Sequence, residues 1–354
     1  MATPTFDPDA AAQPGAGIFG LPSTRADSKI VLVPVPFEAT TSYGGGTSSG
    51  PAAIRIASAQ VDLFDMQFGN IYEQGIFMID EDPEILELSG RARALAAPII
   101  EKGGAATEDA VVIAQVDDIG ARINTETFRH FSTILAEGKT PGLVGGDHST
   151  PFGALRACAE HVGRLTGGRE GLGILHIDAH MDLRNAFEGF TWSHASIMFN
   201  VLERIPQVSR LVQVGIRDFG KGELDYGRAH AGKPTPRVVT HFDFDWARRL
   251  DAGERFADLC RQTIEELPRH VYVSFDIDAL DPSLCPHTGT PVPGGLSFNR
   301  ACVLLETLAR SGRTIVGFDL VEVAPGPNPE EPDWDANVGA RLLYKLCGVV
   351  GAST

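Results

Sequence analysis

Four short segments concentrate carboxylates and imidazoles: GGDHS (145–149), HIDAHMD (176–182), SFDIDALDP (274–282) and DLVEVAP (319–325). In the second, Asp178, His180 and Asp182 stand two apart, so an extended backbone projects all three to one side. Asp276 and Asp278 repeat that spacing in the third. Gathering carboxylates beside apolar strands is costly unless cations neutralise them. The donors are carboxylate oxygen and imidazole nitrogen with no thiolate, which suits Mn²⁺-, Ni²⁺- or Zn²⁺-like ions rather than Cu(I) or iron–sulfur. Four Asp and two His (His148, His180) exceed the needs of one catalytic ion and fit two ions sharing bridging carboxylates and a water. A single D-x-D at a strand end is as often structural, but D-A-H-x-D is far rarer, and the three motifs in this order are hard to obtain from bland surface chemistry.

The elements that must position these groups are also legible. Near-continuous apolar runs occur at 29–37, 140–148, 171–180, 210–218, 236–244, 270–278 and 314–323. Runs of that length predict strands buried on both faces, hence a parallel sheet. Helical candidates lie between them at 128–138, 151–165, 254–267, 298–312 and 334–350. Strand and helix alternating along one chain predict a three-layer α/β fold. The acidic termini of four runs should then converge at the carboxyl ends of the strands, where such sheets build their sites. The segment GGGTSSGPAAIR (44–55) predicts a Gly-rich turn feeding a helix with Pro51 in its first turn, and it lacks the pattern of a phosphate cradle. Residues 1–28 carry no periodicity and read as a loosely ordered tail or an arm on a neighbouring subunit; 29–354 read as a single catalytic domain.

Composition narrows the class. The chain has 354 residues and a net charge of 30 − 46 = −16, which argues against a nucleic-acid footprint or an anionic-membrane patch. The five scattered cysteines include no C-x-x-C pair, so neither a disulfide framework nor a thiolate zinc site is expected, and a reducing cytoplasm is. Neither a secretory signal nor a membrane span is expected.

At these residues the sequence resembles the ureohydrolase family of arginases, agmatinases and guanidino-acid hydrolases, from about Lys29 to about Leu346. The resemblance implies an arginase-like α/β/α fold with a central, mostly parallel sheet of eight strands. It also implies a dinuclear centre, manganese by family habit with nickel or cobalt conceivable, and hydrolysis of a guanidinium carbon to urea and an amine. By motif, His148 resembles a ligand of the first metal, His180 a ligand of the second, and Asp178 and Asp276 the bridging carboxylates. Asp182 resembles the first-metal ligand that also hydrogen-bonds the bridging hydroxide, and Asp278 the terminal ligand of the second metal. Glu322 matches the glutamate that binds the substrate guanidinium, and His194 in WSHAS the histidine that shuttles protons. His176, Asp147, Ser149 and Asp281 are expected to support the ligands, with Gly145 and Gly146 allowing close backbone approach.

The stretch 182–198 resembles the agmatinase-like branch, which makes a small cationic guanidino compound, agmatine, the expected substrate and putrescine the expected amine. A guanidino acid such as 4-guanidinobutyrate, or guanidine itself, is the alternative; formiminoglutamase-type activity lacks a counterpart of His194, and a non-catalytic homologue would have lost ligands. Arg184 would favour a carboxylate tail, Glu188 an ammonium, and Trp192 and His287 are further candidates for contact with it. The family commonly assembles as trimers or hexamers, so a homo-oligomer is expected.

Overall fold

The computed structural model describes residues 6–13, 15–231, 236–328 and 332–353. The strands in chain order are β1 (Ile30–Val35), β2 (Phe64–Asp65), β3 (Gly69–Asn70), β4 (Ile76–Met78), β5 (Thr140–Gly145), β6 (Leu172–Ile177), β7 (Val208–Ile216), β8 (Val238–Phe242), β9 (His270–Asp276) and β10 (Thr314–Val321). Between them lie α1 (Gly50–Ser58), α2 (Pro83–Glu101), α3 (Ala110–Ala136), α4 (Phe152–Thr166) and α5 (Ile197–Arg204). The series continues with α6 (Lys221–Ala231), α7 (Asp243–Asp251), α8 (Phe256–Glu265), α9 (Phe298–Ala309) and α10 (Trp334–Ala352).

Eight strands form one sheet in the order β4-β1-β5-β10-β9-β6-β7-β8, and every pairing in it is parallel. Alternation along each strand separates the two helical layers. In β6, Leu172 and Ile174 pack with side chains of α2 to α5, whereas Leu175 and Ile177 pack with those of α8 to α10. Both faces of the strand are thus buried, which is why the run is apolar throughout. The arginase-like three-layer expectation holds. An eighth strand escaped the pattern because β4 is three residues long, too short to show a period, and lies at the sheet edge. Helix α2 shows no clear pattern in the sequence: two of the five apolar residues in its buried stripe, Ile85, Leu88, Ala92, Ala96 and Ile99, are alanine, so its contrast is weak.

The turn at 44–49 does feed a helix with Pro51 in its first turn. A Cβ at Gly50 would lie 2.2 Å from the Val323 carbonyl oxygen, so glycine there lets α1 approach the chain after β10. Part of the segment expected to be a loose tail is anchored instead. Ile18, Phe19 and Leu21 are buried, the Phe19 N–H donates to Ser58 Oγ, and its ring packs 4.8 Å from that of Tyr344. Residues 1–5 and 14 of that segment lie outside the described ones. Among the described residues no helix is long and apolar enough to cross a membrane.

Candidate metal centre and active site

The central strands β5, β10, β9 and β6 are neighbours in that order, and each delivers its acidic or imidazole groups just past its carboxyl end. Beyond β5 the chain can turn only because residue 146 is glycine: a Cβ there would lie 2.1 Å from the Phe37 carbonyl oxygen. His148 follows at once and is buried. Its Nε2 faces Ser274 Oγ at 2.9 Å, and the Ser274 hydroxyl donates to Asp319 Oδ1 at 3.0 Å. The serine proton being committed to Asp319, Ser274 Oγ accepts from His148 Nε2–H, which leaves the Nδ1 lone pair free. Among the described residues that Nδ1 has no hydrogen-bond partner of its own, yet Asp178, Asp182 and Asp276 lie 2.9, 3.2 and 3.2 Å from it.

Asp178 joins two groups of donors. Its Oδ2 is the oxygen near His148, while Oδ1 lies 3.5 Å from His180 Nδ1, which is itself 3.0 Å from Asp278 Oδ2. The donor atoms of His148, His176, Asp178 and Asp182 lie within 4.8 Å of one another, as do those of Asp178, His180 and Asp278. Asp276 sits in neither group: Oδ2 faces His148, but Oδ1 accepts from the Asp278 N–H at 2.8 Å. The structure therefore brings Asp178 to a shared position more fully than Asp276.

Burial and repulsion set the charge states. Burial and the neighbouring Asp178 push Asp182 up to about 6. Burial, Asp278 and Asp178 hold Asp276 well above the carboxylate range, and burial, Asp276 and Asp147 do the same to Glu322. Burial opposes charge on His148, but the three carboxylates override it and raise its pKa well above the usual value. Among the described residues no Lys or Arg pairs with any of these acids. Oxygen and imidazole donors, crowded carboxylates and an unpartnered Nδ1 fit divalent cations well. The cluster is able to bind metal.

Two backbone features aim the groups. Asp182 holds a left-handed φ of 53°, stabilised because its carbonyl accepts from the Met198 and Phe199 N–H groups at the start of α5. Glu322 has φ 62°; its Oε1 accepts from the His148 N–H at 2.8 Å, and its buried Oε2 has no partner among the described residues. Only glycine fits beside that oxygen, since a Cβ at Gly289 would lie 3.2 Å from it and 2.5 Å from Thr41 Cγ2.

His180, Asp182 and His194 share the wall of a cavity of about 380 Å³. Thr40 and Ser193 hydroxyls lie 3.4 Å from His194 Nδ1, leaving Nε2 for chemistry. Burial, with His180 and His148 nearby, pushes His194 down to about 3, so its ring is neutral near pH 7. Arg184 lies on the same wall.

The remaining expectations fare differently. His176 is a buried support: Nε2 donates to Asp178 Oδ2 at 2.8 Å, and Nδ1 accepts from Gln213 Nε2 at 3.0 Å. Asp147 ties Ser149 and the Ala39 N–H to the His148 loop. Asp281, by contrast, caps the turn Pro282–Leu284 away from the cluster. Trp192 does not face the cavity; it packs 4.8 Å from Phe152, under Arg204, because Gly120 of α3 opens a slot for its ring. His287 is drawn away too, its N–H and Nδ1 both bonded to Asp335 of α10. Glu188 lies off the cavity wall, with a buried Oε2 and φ of 54°. Ser274 and Asp319 stand in two of the acidic segments, where the apolar pattern shows a buried strand and carries no signal of their partnership with His148. Asp218 also lines the cavity, and its signal was visible as one more acid ending an apolar run.

A parallel α/β/α sheet with a His/Asp metal-binding cluster at its carboxyl edge defines the class. The sequence profile of the arginase family matches residues 28–348, and the chain belongs to that family. It is therefore a hydrolase acting on C–N bonds of linear amidines. An N(1)-aminopropylagmatine ureohydrolase of Thermus thermophilus is 31% identical over 328 residues, 92% of this chain and 91% of that one. An agmatinase of Neisseria meningitidis is 34% identical over 224 residues, 63% and 64% of the two chains. The solved proclavaminate amidino hydrolase of Streptomyces clavuligerus superposes with a TM-score of 0.69 at 24% identity, over 98% of this chain and all 100% of that one.

Proposed function

We propose that this chain hydrolyses a guanidino compound to urea and an amine, with agmatine, or agmatine bearing an aminopropyl group, as its substrate class. The single observation carrying the chemistry is the pair of donor groups sharing Asp178, beside a neutral His194 on a cavity wall. His148, Asp178, Asp182 and Asp276 would hold one divalent ion, and His180, Asp278 and the shared carboxylates a second. When bound, such a pair supplies Lewis-acid charge and lowers the pKa of water towards neutrality. Manganese is proposed, with nickel or cobalt as substitutes, in a cytoplasmic homo-oligomer of three or six chains; five free, buried cysteines suit a reducing compartment.

The chain's own groups then divide the work. Glu322 Oε2, buried without a donor, accepts from the guanidinium and fixes the angle of its carbon. Asp182 accepts a hydrogen bond from the attacking water. His194 Nε2, neutral at rest, takes up the proton that water loses and passes it to the leaving nitrogen as the C–N bond breaks. The remaining hydroxyl proton of the adduct also departs to the amine, so water and the guanidinium become urea and an alkylammonium. A guanidino acid is the second reading: Arg184 stands on the cavity wall, although Glu223 Oε2 already lies 3.3 Å from its Nε. Urea release measured on a panel of guanidino compounds, after reconstitution with manganese or nickel, tests the proposal; no release from any member would end it.

A further inference from the structure

Beyond the His/Asp cluster, three ionised side chains lie on the cavity wall: Arg184, Glu223 and Asp218. Arg184 is already engaged. Its Nε lies 3.3 Å from Glu223 Oε2, and its guanidinium stacks 4.7 Å from the Phe187 ring centre. Glu223 is buried and cannot follow another partner, because it accepts from the Leu183 N–H at 3.1 Å and the Gly220 N–H at 2.7 Å. The two charges cancel. Asp218 differs: a parallel bridge sets its backbone beside that of His180, about 5 Å away as between paired strands. Its carboxylate is exposed and has no hydrogen bond or ion pair among the described residues. The rings of Tyr43 and Phe219 stand on the same wall.

We infer that Asp218 reads the far end of the substrate and selects an ammonium tail over a carboxylate. The inference rests on the guanidine-hydrolysis reading. A carboxylate tail would meet Asp218 as a like charge, and drawing Arg184 towards it would leave Glu223 buried and unpaired. An ammonium tail pairs with Asp218 and lies against aromatic faces. The pair is open to water, so its contribution is modest, roughly fivefold in affinity.

The test uses the metal-loaded enzyme and Asp218→Asn with three guanidines of matched length: agmatine, butylguanidine and 4-guanidinobutyrate. Wild type should prefer them in that order. In the variant the agmatine-to-butylguanidine ratio of kcat/KM should fall by roughly fivefold, through KM rather than kcat. Calorimetric affinity for 1,4-diaminobutane should fall to match. A preference of the wild type for 4-guanidinobutyrate, or equal losses on agmatine and butylguanidine, would overturn the role of Asp218. Absence of urea from all three would sink the hydrolysis reading instead; equal diamine affinity in both proteins would then still count against Asp218.

Discussion

Ser274→Ala isolates the device that prepares His148 for a cation. Among the described residues His148 Nε2–H has one acceptor, Ser274 Oγ at 2.9 Å, and that hydroxyl is oriented by Asp319 at 3.0 Å. All three residues are buried, so no water replaces the lost oxygen. Leaving the Nε2–H unmet costs about 1–3 kcal/mol. The metal-free ring, charged in the wild type, escapes this by giving up the Nε2 proton and keeping the one on Nδ1, where three carboxylates lie within 3.2 Å. A metal ion must then displace that proton, so the penalty falls on the metal-loaded form. Loss of such a supporting partner weakens metal binding by roughly 10–100-fold, or about 1.4–2.8 kcal/mol. Asp319 keeps the Phe275 N–H at 3.2 Å, and Ser→Ala opens little space, so the metal-free fold should melt close to wild type. Competition titration of Mn²⁺ against a chromophoric chelator reads the affinity, and calorimetric melting of the metal-free proteins reads the fold. Binding within about twofold of wild type would refute the tautomer reasoning.

Asp178→Ala should abolish metal retention and urea release together while circular dichroism stays native; retention of more than roughly a tenth of the activity would remove its bridging role. His194→Ala should keep its metal content, by elemental analysis, but lose about 10²–10⁴-fold in kcat; loss of metal would make it a ligand. The metal-free protein should lose thermal stability from about pH 7 to 9, because the native His148 and His180 hold protons there that the unfolded chain, with an ordinary imidazole pKa, does not. Saturating metal should flatten that slope, and a metal-free melting temperature that rises over the interval would contradict it.

Much of the site was legible because metal chemistry demands particular residue types at fixed spacing. Asp178, His180 and Asp182 are readable two by two from a strand end, and the structure gathers them with His148 and Asp278. The supports were less legible. Ser274 and Asp319 are register partners on adjacent strands far apart in sequence, and only the pairing of β9 with β10 brings them together. Trp192 and His287 looked like rim residues because they adjoin catalytic motifs; which way their rings turn depends on Gly120 and Asp335, distant in sequence. The fold shows the same division. Long apolar runs announced seven strands, whereas the short edge strand β4 is fixed by pairing with β1 alone.

The count of ions per chain tests the dinuclear reading most directly. Metal-stripped protein would be saturated with Mn²⁺, freed of excess ion, and assayed by elemental analysis beside urea release from agmatine. Two donor groups sharing Asp178 predict two ions per chain, with activity tracking the second. One ion or none in a protein that releases urea at full rate would contradict it.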